Sequence, residues 1–227
     1  NLADPYIESF PIVKLILGKI AEKNTSNPVY NLPTDMGVNM AACGIVDDTI
    51  VQEASKQELI RRYFRYNTEY TLGIGKKETL DRAMRLMEEL GVKVTDRKVV
   101  EIARAAAVQA EAKGKCNYNI FCGAAIELPY SRIVTGKNSE LMHAASSLIL
   151  NALKSLANLP DETSLLSPQV IGQISKLKQG IFHAESESLD LQEALIALSI
   201  SASTNNAAEL AMNQLPQLRD CEAHMTH

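Results

Sequence analysis

The stretch GAAIELPYSRIVTGKNSELMHAASSLILNALKSLAN, residues 123–158, decides the fold class of this chain. Two short runs of β-prone residues, 120–128 and 132–137, flank a turn and predict a β-hairpin. A segment rich in alanine and leucine follows. Ser139 is a suitable N-cap residue for it, so we expect a helix from Ser139 to about Asn158. A hairpin followed by such a helix indicates an α/β arrangement.

The inner face of this helix is predicted to be hydrocarbon, because apolar side chains recur at helical spacing. Its members are Met142, Ala145, Leu148, Ile149, Ala152, Leu153 and Leu156. Hydrocarbon side chains fill a core but do not ligate zinc. We therefore expect no metal site on this helix.

Helical periodicity continues on both sides of the hairpin. Helices are predicted over 48–70, over 77–90, from Thr95 or Asp96 to Gly114, after the cap pair Ser167–Pro168, over Leu189–Ser201 and over Ala207–Leu215. A final strand is predicted over 219–227. The pattern changes near residue 115. We expect a helix-rich α/β fold with a small mixed sheet covered by helices, divided into a helical region, 1–114, and an α/β domain, 115–227.

Composition excludes two classes of partner. Lys and Arg number 23 against 27 Asp and Glu, a net charge of −4, whereas non-specific nucleic-acid binding requires a basic surface. No apolar run approaches the roughly 20 residues that cross a bilayer, so we expect no membrane partner. Four cysteines without a Cys-x-x-Cys pair are typical of a reduced, cytoplasmic protein.

Six segments, taken in order, resemble one bacterial family over nearly the whole chain. They are PTDMGVNMA (33–41), EASKQELIRRYFR (53–65), AAIELP…RIVTGKNSELM (124–142), LSP (166–168), ALIALSISASTN (194–205) and LPQLRDCEAHMTH (215–227). As a set they are similar to the family called domain of unknown function 1846, which has no established activity. The resemblance implies that this chain corresponds to the C-terminal half of longer members and lacks their N-terminal, phosphate-loop-like part.

Two alternative functions follow, the first from the resemblance and the second from the composition of the helices. The first is part of a nucleotide-binding protein or nucleotide-dependent enzyme, whose partner is a nucleotide or a phosphorylated small molecule. The second is a non-catalytic assembly module that forms homo-oligomers through its small-residue and Ala-rich helices. The sequence does not decide whether the chain is an enzyme, and it identifies no cofactor.

Residues 123–158 also resemble the opening of the cytidine-deaminase fold. That enzyme requires a His or Cys and a Glu near the helix start, and a later Cys-x-x-Cys, to hold zinc and transfer protons. The corresponding positions here hold Ile149 and Asn151, and the later cysteine pair is replaced near Ser167 and Pro168. A deaminase-like fold in this chain would therefore be a metal-free version used for binding or assembly.

The C-terminal segment carries the candidate catalytic residues. Cys221, Glu222, His224 and His227 have metal-binding side chains at close spacing. Side chains alternate between the two faces of a strand, which places Glu222 and His224 on one face and Cys221 and His227 on the other. We therefore predict no metal site and a Glu222–His224 polar pair suited to acid/base chemistry.

The candidate ligand-binding residues lie in three segments. Lys56, Arg61, Arg62 and Arg65 form a basic cluster in which Arg61 and Arg65 share one helical face. Arginine side chains are suited to phosphate or carboxylate; the alternative is a solvated face paired with Glu53 and Glu58. Within an apolar run, Asp35 and Asn39 flank a glycine, which indicates close approach of the backbone to a ligand or to another chain segment. The segment after the hairpin adds a third group, Lys137, Asn138 and Glu140.

Overall fold

The computed structural model describes residues 48–114, 116 and 119–226. Predictions that fall on residues 1–47, including those for Asp35 and Asn39, lie outside the described residues. None of the helices in the described part of the chain combines the length and the apolar character needed to cross a bilayer.

The chain divides into two compact units, residues 1–97 and 98–227. The division falls earlier than the predicted boundary near residue 115. The reason is physical: the helix that begins at Lys98 packs against the sheet of the second unit. Sequence composition changes only after that helix ends, which is why the predicted boundary lies further along the chain.

In the first unit, helix α1 (Asp48–Thr71) and helix α2 (Lys77–Glu89) match their predicted ranges to within one residue. They pack against each other through apolar side chains; the buried members are Leu59, Ile60, Tyr66, Leu80, Ala83 and Met87. Met84 lies at helical spacing from the buried Leu80 and Met87 but is exposed.

The second unit contains a three-stranded sheet and five helices within its described residues. The elements, in chain order, are α3 (Lys98–Ala112), β1 (Gly123–Leu128), β2 (Arg132–Lys137), α4 (Ala144–Leu156), α5 (Pro168–Gly180), α6 (Leu191–Ala202), α7 (Asn206–Met212) and β3 (Glu222–Thr226). The helix-rich α/β class is confirmed. The strand order is β2-β1-β3 and both pairings are antiparallel, so the expectation of a mixed sheet is wrong. β3 returns along β1 in the opposite direction. Within the described residues, the one parallel pairing is an isolated bridge between Met142 and Leu189.

Helices cover both faces of the sheet. On one face, Ala125 of β1 packs against Val99 and Ala103 of α3. On the other face, Ala124 and Ile126 pack against α4. The opposite side of α4 packs against the layer formed by α5, α6 and α7. Helix α4 is thus enclosed between the sheet and a helical layer.

Helix α4 begins at Ala144, five residues after the predicted N-cap Ser139. Residues 139–143 form an irregular segment with bends at residues 140 and 141 instead. Leu189 N–H donates to Leu141 O and His143 N–H donates to Leu189 O, which ties this segment to Leu189. The predicted hydrocarbon face is confirmed at Leu148, Ala152 and Leu153, which are buried. Leu150 and Ser146 are buried as well, since the helix is covered on two sides.

The hairpin turn between β1 and β2 has three residues, because Leu128 pairs with Arg132. Tyr130 and Ser131 both adopt positive φ, 63° and 58°. Few residues other than glycine, asparagine and aspartate favour that region. The commonest tight hairpins have two-residue loops with positive φ. This turn is one residue longer, and two of its residues adopt positive φ although tyrosine and serine rarely favour it.

Candidate functional site

Strand β3 places the predicted catalytic pair on the sheet face that α3 covers. His224 lies opposite Ala125, and Glu222 lies opposite Glu127. Residues directly opposite each other on paired strands project from the same face, and Ala125 packs on α3. Glu222 and His224 are half-buried, whereas the alternate residues Ala223 and Met225 are exposed. The alternation of faces therefore holds for residues 222–225; Cys221 precedes the strand and His227 lies outside the described residues. The acid/base role of the pair stays a prediction.

Glu127 and Glu222 are directly opposite each other on β1 and β3, so their carboxylates lie on the same face of the sheet. Like charges directly opposite each other on a sheet are destabilising. Lys98 Nζ, at the start of α3, lies 3.9 Å from Glu127 Oε1 and offsets part of that repulsion. The lysine is largely exposed, which makes its contribution small. Among the residues that the structure describes, no group of three or more His, Cys, Asp or Glu side chains is arranged to hold a metal ion.

Lys137 does not join His224 in a common site. Lys137 is on β2 and His224 on β3, at opposite edges of the sheet, and α3 lies on the middle strand between them. A Cβ atom at Gly123 would lie 2.2 Å from Ala103 O, so helix and strand touch there without an intervening side chain. Lys137 Nζ donates to Gln109 Oε1 of α3 at 2.7 Å. The side chain is used to bind the helix to the sheet edge.

Asn138 acts as a clamp on the backbone. Its Oδ1 accepts from Cys122 N–H at 2.7 Å, and its Nδ2 donates to Ile120 O at 2.6 Å. The residue is buried, and both polar ends of the carboxamide have protein partners. Asn138 therefore has a structural role that fixes the entrance of β1 against the end of β2.

Replacing Asn138 with alanine should lower the free energy of unfolding by about 1–3 kcal/mol, because two backbone groups lose their partly buried hydrogen bonds. Chemical denaturation of the purified chain measures the change. Asn151→Ala is the matched control: this exposed asparagine makes a single hydrogen bond, from Nδ2 to Thr135 O, and should cost less than about 1 kcal/mol. Equal effects of the two substitutions would contradict the clamp.

Glu140, the third residue of this predicted group, is exposed. Its backbone carbonyl, together with that of Ser139, accepts from the hydroxyl of Ser188 at 2.7 and 2.8 Å. Ser188 N–H in turn donates to the hydroxyl of Ser186. Residues 139–140 are thus tied to the loop before α6 through backbone atoms.

The three arginines of α1 form ion pairs within their own helix. Glu58 accepts from Arg61 at 2.6 Å and from Arg62 at 3.0 Å, and Arg65 lies 3.8 Å from Glu69. The Arg65 guanidinium also lies over the ring of Tyr66, 5.1 Å from its centroid. Pairs of this kind, three or four residues apart on an exposed helix, are weak. The structure therefore agrees with the alternative of a paired, solvated face.

The positions that would carry deaminase chemistry hold structural side chains. Ile149 packs in the apolar cluster on the outer side of α4, and Asn151 binds the backbone of β2. Neither side chain supplies a zinc ligand or a catalytic acid. The likeness to the deaminase fold itself stays a prediction.

A buried ion pair in the helical layer was missed by the sequence analysis. Lys178 Nζ lies 2.7 Å from Glu193 Oε2 and donates to Ser188 O at 2.7 Å. Glu193 also accepts from Asp190 N–H, which closes the capping box of α6. The sequence does contain one indication of this pair. Lys178 recurs at helical spacing on the same side of α5 as the apolar residues Val170, Ile171 and Ile174.

The half-buried thiols of Cys122 and Cys221 are weak nucleophiles. Burial raises the pKa of Cys122, and burial together with the Asp220 carboxylate raises the pKa of Cys221. A raised pKa reduces the thiolate fraction, which is the reactive form. The two cysteines precede β1 and β3, which run antiparallel, so they lie toward opposite ends of the sheet.

The fold and the candidate site define a helix-rich α/β protein in which Asn138 and Asn151 form hydrogen bonds to backbone groups of the sheet. The family model for the N-terminal part of domain of unknown function DUF1846 matches residues 4–91, and the model for its C-terminal part matches residues 95–227. The chain therefore belongs to the DUF1846 family. The expectation that it corresponds to the C-terminal half alone is wrong, because both parts of the family are matched.

The chain is also similar to UPF0371 proteins of Clostridium botulinum. A UPF0371 protein of Clostridium botulinum (strain Eklund 17B / Type B) is 48% identical over 221 residues, which are 97% of this chain and 43% of the relative. UPF0371 proteins of the Alaska E43 and Kyoto strains are also 48% identical, with the same coverage. The chain spans less than half the length of these relatives.

Proposed function

We propose that residues 98–227 form a non-catalytic assembly module of a larger protein. The observation that carries the proposal is the use of polar side chains at the candidate positions. Asn138 and Asn151 bind backbone groups of the sheet, and Lys137 binds α3. Side chains engaged in this way position elements of the fold and are not available to a substrate.

The helical layer on the outer side of α4 supports the assembly role. It exposes large aliphatic side chains from three helices and their ends, namely Leu177, Ile181, Ile196, Ile200 and Leu210. Apolar residues exposed in numbers on one layer are typical of protein–protein contact surfaces. A homo-oligomer is the assembly that the proposal predicts.

Light scattering coupled to size-exclusion chromatography tests this proposal on the 227-residue chain. We expect a mass of at least two chains between about 1 and 100 μM, the range in which micromolar association is populated. A single-chain mass throughout that range would contradict the assembly role.

A second candidate function is binding of a nucleotide or phosphorylated small molecule by the whole protein. The observation that favours it is the exposure of Arg61 and Arg65, whose side chains are 50% and 52% accessible. An exchange of their weak carboxylate partners for a phosphate would gain charge-assisted hydrogen bonds. In this proposal Asp35 and Asn39 contribute to the same site, and the main phosphate-binding loop belongs to a part of the longer relatives that this chain does not span.

Thermal unfolding with ATP tests the second candidate on a full-length relative that carries the same arginines. ATP at about 100 times its dissociation constant should stabilise the protein by about 2.7 kcal/mol. The double substitution of Arg61 and Arg65 by alanine should remove most of that shift. Arg85→Ala, an exposed arginine of α2, is the control and should leave it unchanged. No stabilisation by ATP or by inorganic phosphate would count against phosphate binding.

A further inference from the structure

Helix α5 is the least deeply buried helix of the helical layer. Lys178 is the single buried residue among the 13 of α5, whereas α4 buries six residues and α6 buries four. The apolar side chains of α5 that face the layer, Val170, Ile171 and Ile174, are only partly buried. Segments with few buried apolar contacts open at a lower free energy than the core. Apolar packing therefore holds α5 less firmly than it holds α4 and α6.

The C-terminal half of α5 is also weak as a helix. Gly172, inside the helix, costs about 1 kcal/mol of helix stability relative to alanine. An added Cβ at Gly172 meets no atom within 4 Å, so packing does not require a glycine there. Large apolar side chains at the C-terminal end stay in solvent, because Leu177, Ile181 and Phe182 are 43%, 66% and 68% exposed. Neither helix propensity nor apolar burial fixes this end.

Polar contacts hold the C-terminal half in place. Lys178 Nζ lies 2.7 Å from Glu193 Oε2 and donates to Ser188 O at 2.7 Å. In the next position, the Gln179 side chain donates to the Glu187 carboxylate. The side chains of Lys178 and Glu193 are only 11% and 24% exposed. Loss of either one leaves an uncompensated charge in a mostly buried position, so this pair is the main contact at this end.

The N-terminal end of α5 is anchored differently. Leu165 and Leu166, just before the helix, are buried in the apolar cluster of the layer. Ser167 N–H donates to the hydroxyl of Ser201 at 2.9 Å, and Ser201 is itself buried on α6. One end of α5 is thus fixed in the core, and the other end depends on an ion pair.

We propose that α5 is a hinged cover. Its C-terminal half opens away from the layer while α4, α6 and the sheet stay folded, and the ion pair between Lys178 and Glu193 determines how often it opens. Helix α5 packs on α6, so opening uncovers the side of α6 that lies beneath it. These contacts lie within one chain, and the proposal does not depend on the assembly function.

Hydrogen–deuterium exchange of the 227-residue chain, measured by mass spectrometry of its peptides, tests the cover. The amides of residues 173–178 lie inside α5 and exclude its last turn, where helices fray. They should exchange at least about 100-fold faster than those of residues 148–153 in α4, because local opening requires less free energy than global unfolding. Equal rates in the two segments would overturn the proposal, since α5 would then open only when the whole unit unfolds.

Substitution of Lys178 tests the part played by the ion pair. Lys178→Met should make residues 173–178 exchange at least about tenfold faster than in the wild type, because the closed state loses its paired charges. The α4 segment should stay at least about 100-fold slower than the α5 segment in the same variant. Lys176→Met is the matched control: Lys176 is exposed in the same helix, and its substitution should leave the exchange unchanged.

Glu193→Gln removes the other partner and keeps the proposal testable if Lys178→Met does not fold. The glutamine oxygen can still accept from Asp190 N–H, so the start of α6 is preserved. This variant should also speed exchange of residues 173–178 at least about tenfold. Unchanged exchange in the folded variants would overturn the role of the ion pair. Equal exchange of the α4 and α5 segments in the variants would overturn the independent opening of α5.

Discussion

Replacement of Gly136 by alanine should lower the free energy of unfolding of residues 98–227 by about 3 kcal/mol or more. A Cβ atom at this position of β2 would lie 2.3 Å from Leu148 N and 2.5 Å from Ala144 O. Both atoms belong to the backbone of α4, so the helix must move away from the sheet as a whole. That movement opens the cluster formed by Ala124, Ile126 and Leu148.

Differential scanning calorimetry measures the effect of Gly136→Ala as a midpoint about 10 °C lower, since 1 kcal/mol corresponds to a few degrees in a unit of this size. Gly172→Ala is the matched control. Gly172 lies within α5, and an added Cβ there meets no atom within 4 Å. This substitution should raise stability by about 0.5–1 kcal/mol, because alanine favours the helix. A stable Gly136→Ala chain would show that α4 does not touch β2.

Lys178→Met should cost about 3–5 kcal/mol, since it leaves the Glu193 carboxylate without its cation in a mostly buried position. The substitution also removes the donor to Ser188 O. The same change in a Glu193→Gln background should cost clearly less. The glutamine oxygen can still accept from Asp190 N–H, and no buried charge remains.

A double-mutant cycle by chemical denaturation isolates the coupling between the two side chains. We expect a coupling energy of at least about 1 kcal/mol. Lys176→Met is the control in the same helix: Lys176 is exposed, so its substitution should change stability by less than about 0.5 kcal/mol. A coupling near zero would mean that Lys178 and Glu193 contribute independently.

The elements that the sequence predicted well have strong local signals. Helix α2 follows a clear apolar period, and the Ser167–Pro168 pair marks the start of α5. Strand β2 was predicted over the range that the structure has. In each case neighbouring residues alone determine the conformation, which explains the agreement.

The roles of Asn138, Ser139 and Lys178 depend on partners far along the chain. Asn138 binds residues 16 and 18 positions upstream, and Ser139 loses its predicted cap role because the segment pairs with Leu189. The partner of Lys178 is 15 residues downstream. A single sequence does not reveal such pairings. From the sequence alone, an asparagine that binds a ligand cannot be distinguished from one that, like Asn138, binds distant backbone groups.

The two glycines of the hairpin also determine the alignment of its strands. Gly123 accommodates the backbone of α3, and Gly136 accommodates the backbone of α4 on the opposite face. A slip of β2 by one position relative to α4 would set Thr135 or Lys137 under that helix, where no side chain fits, because successive residues face opposite sides of the sheet. Only one register of the hairpin places a glycine under each helix. Gly123 and Gly136 therefore protect this small sheet from mispairing.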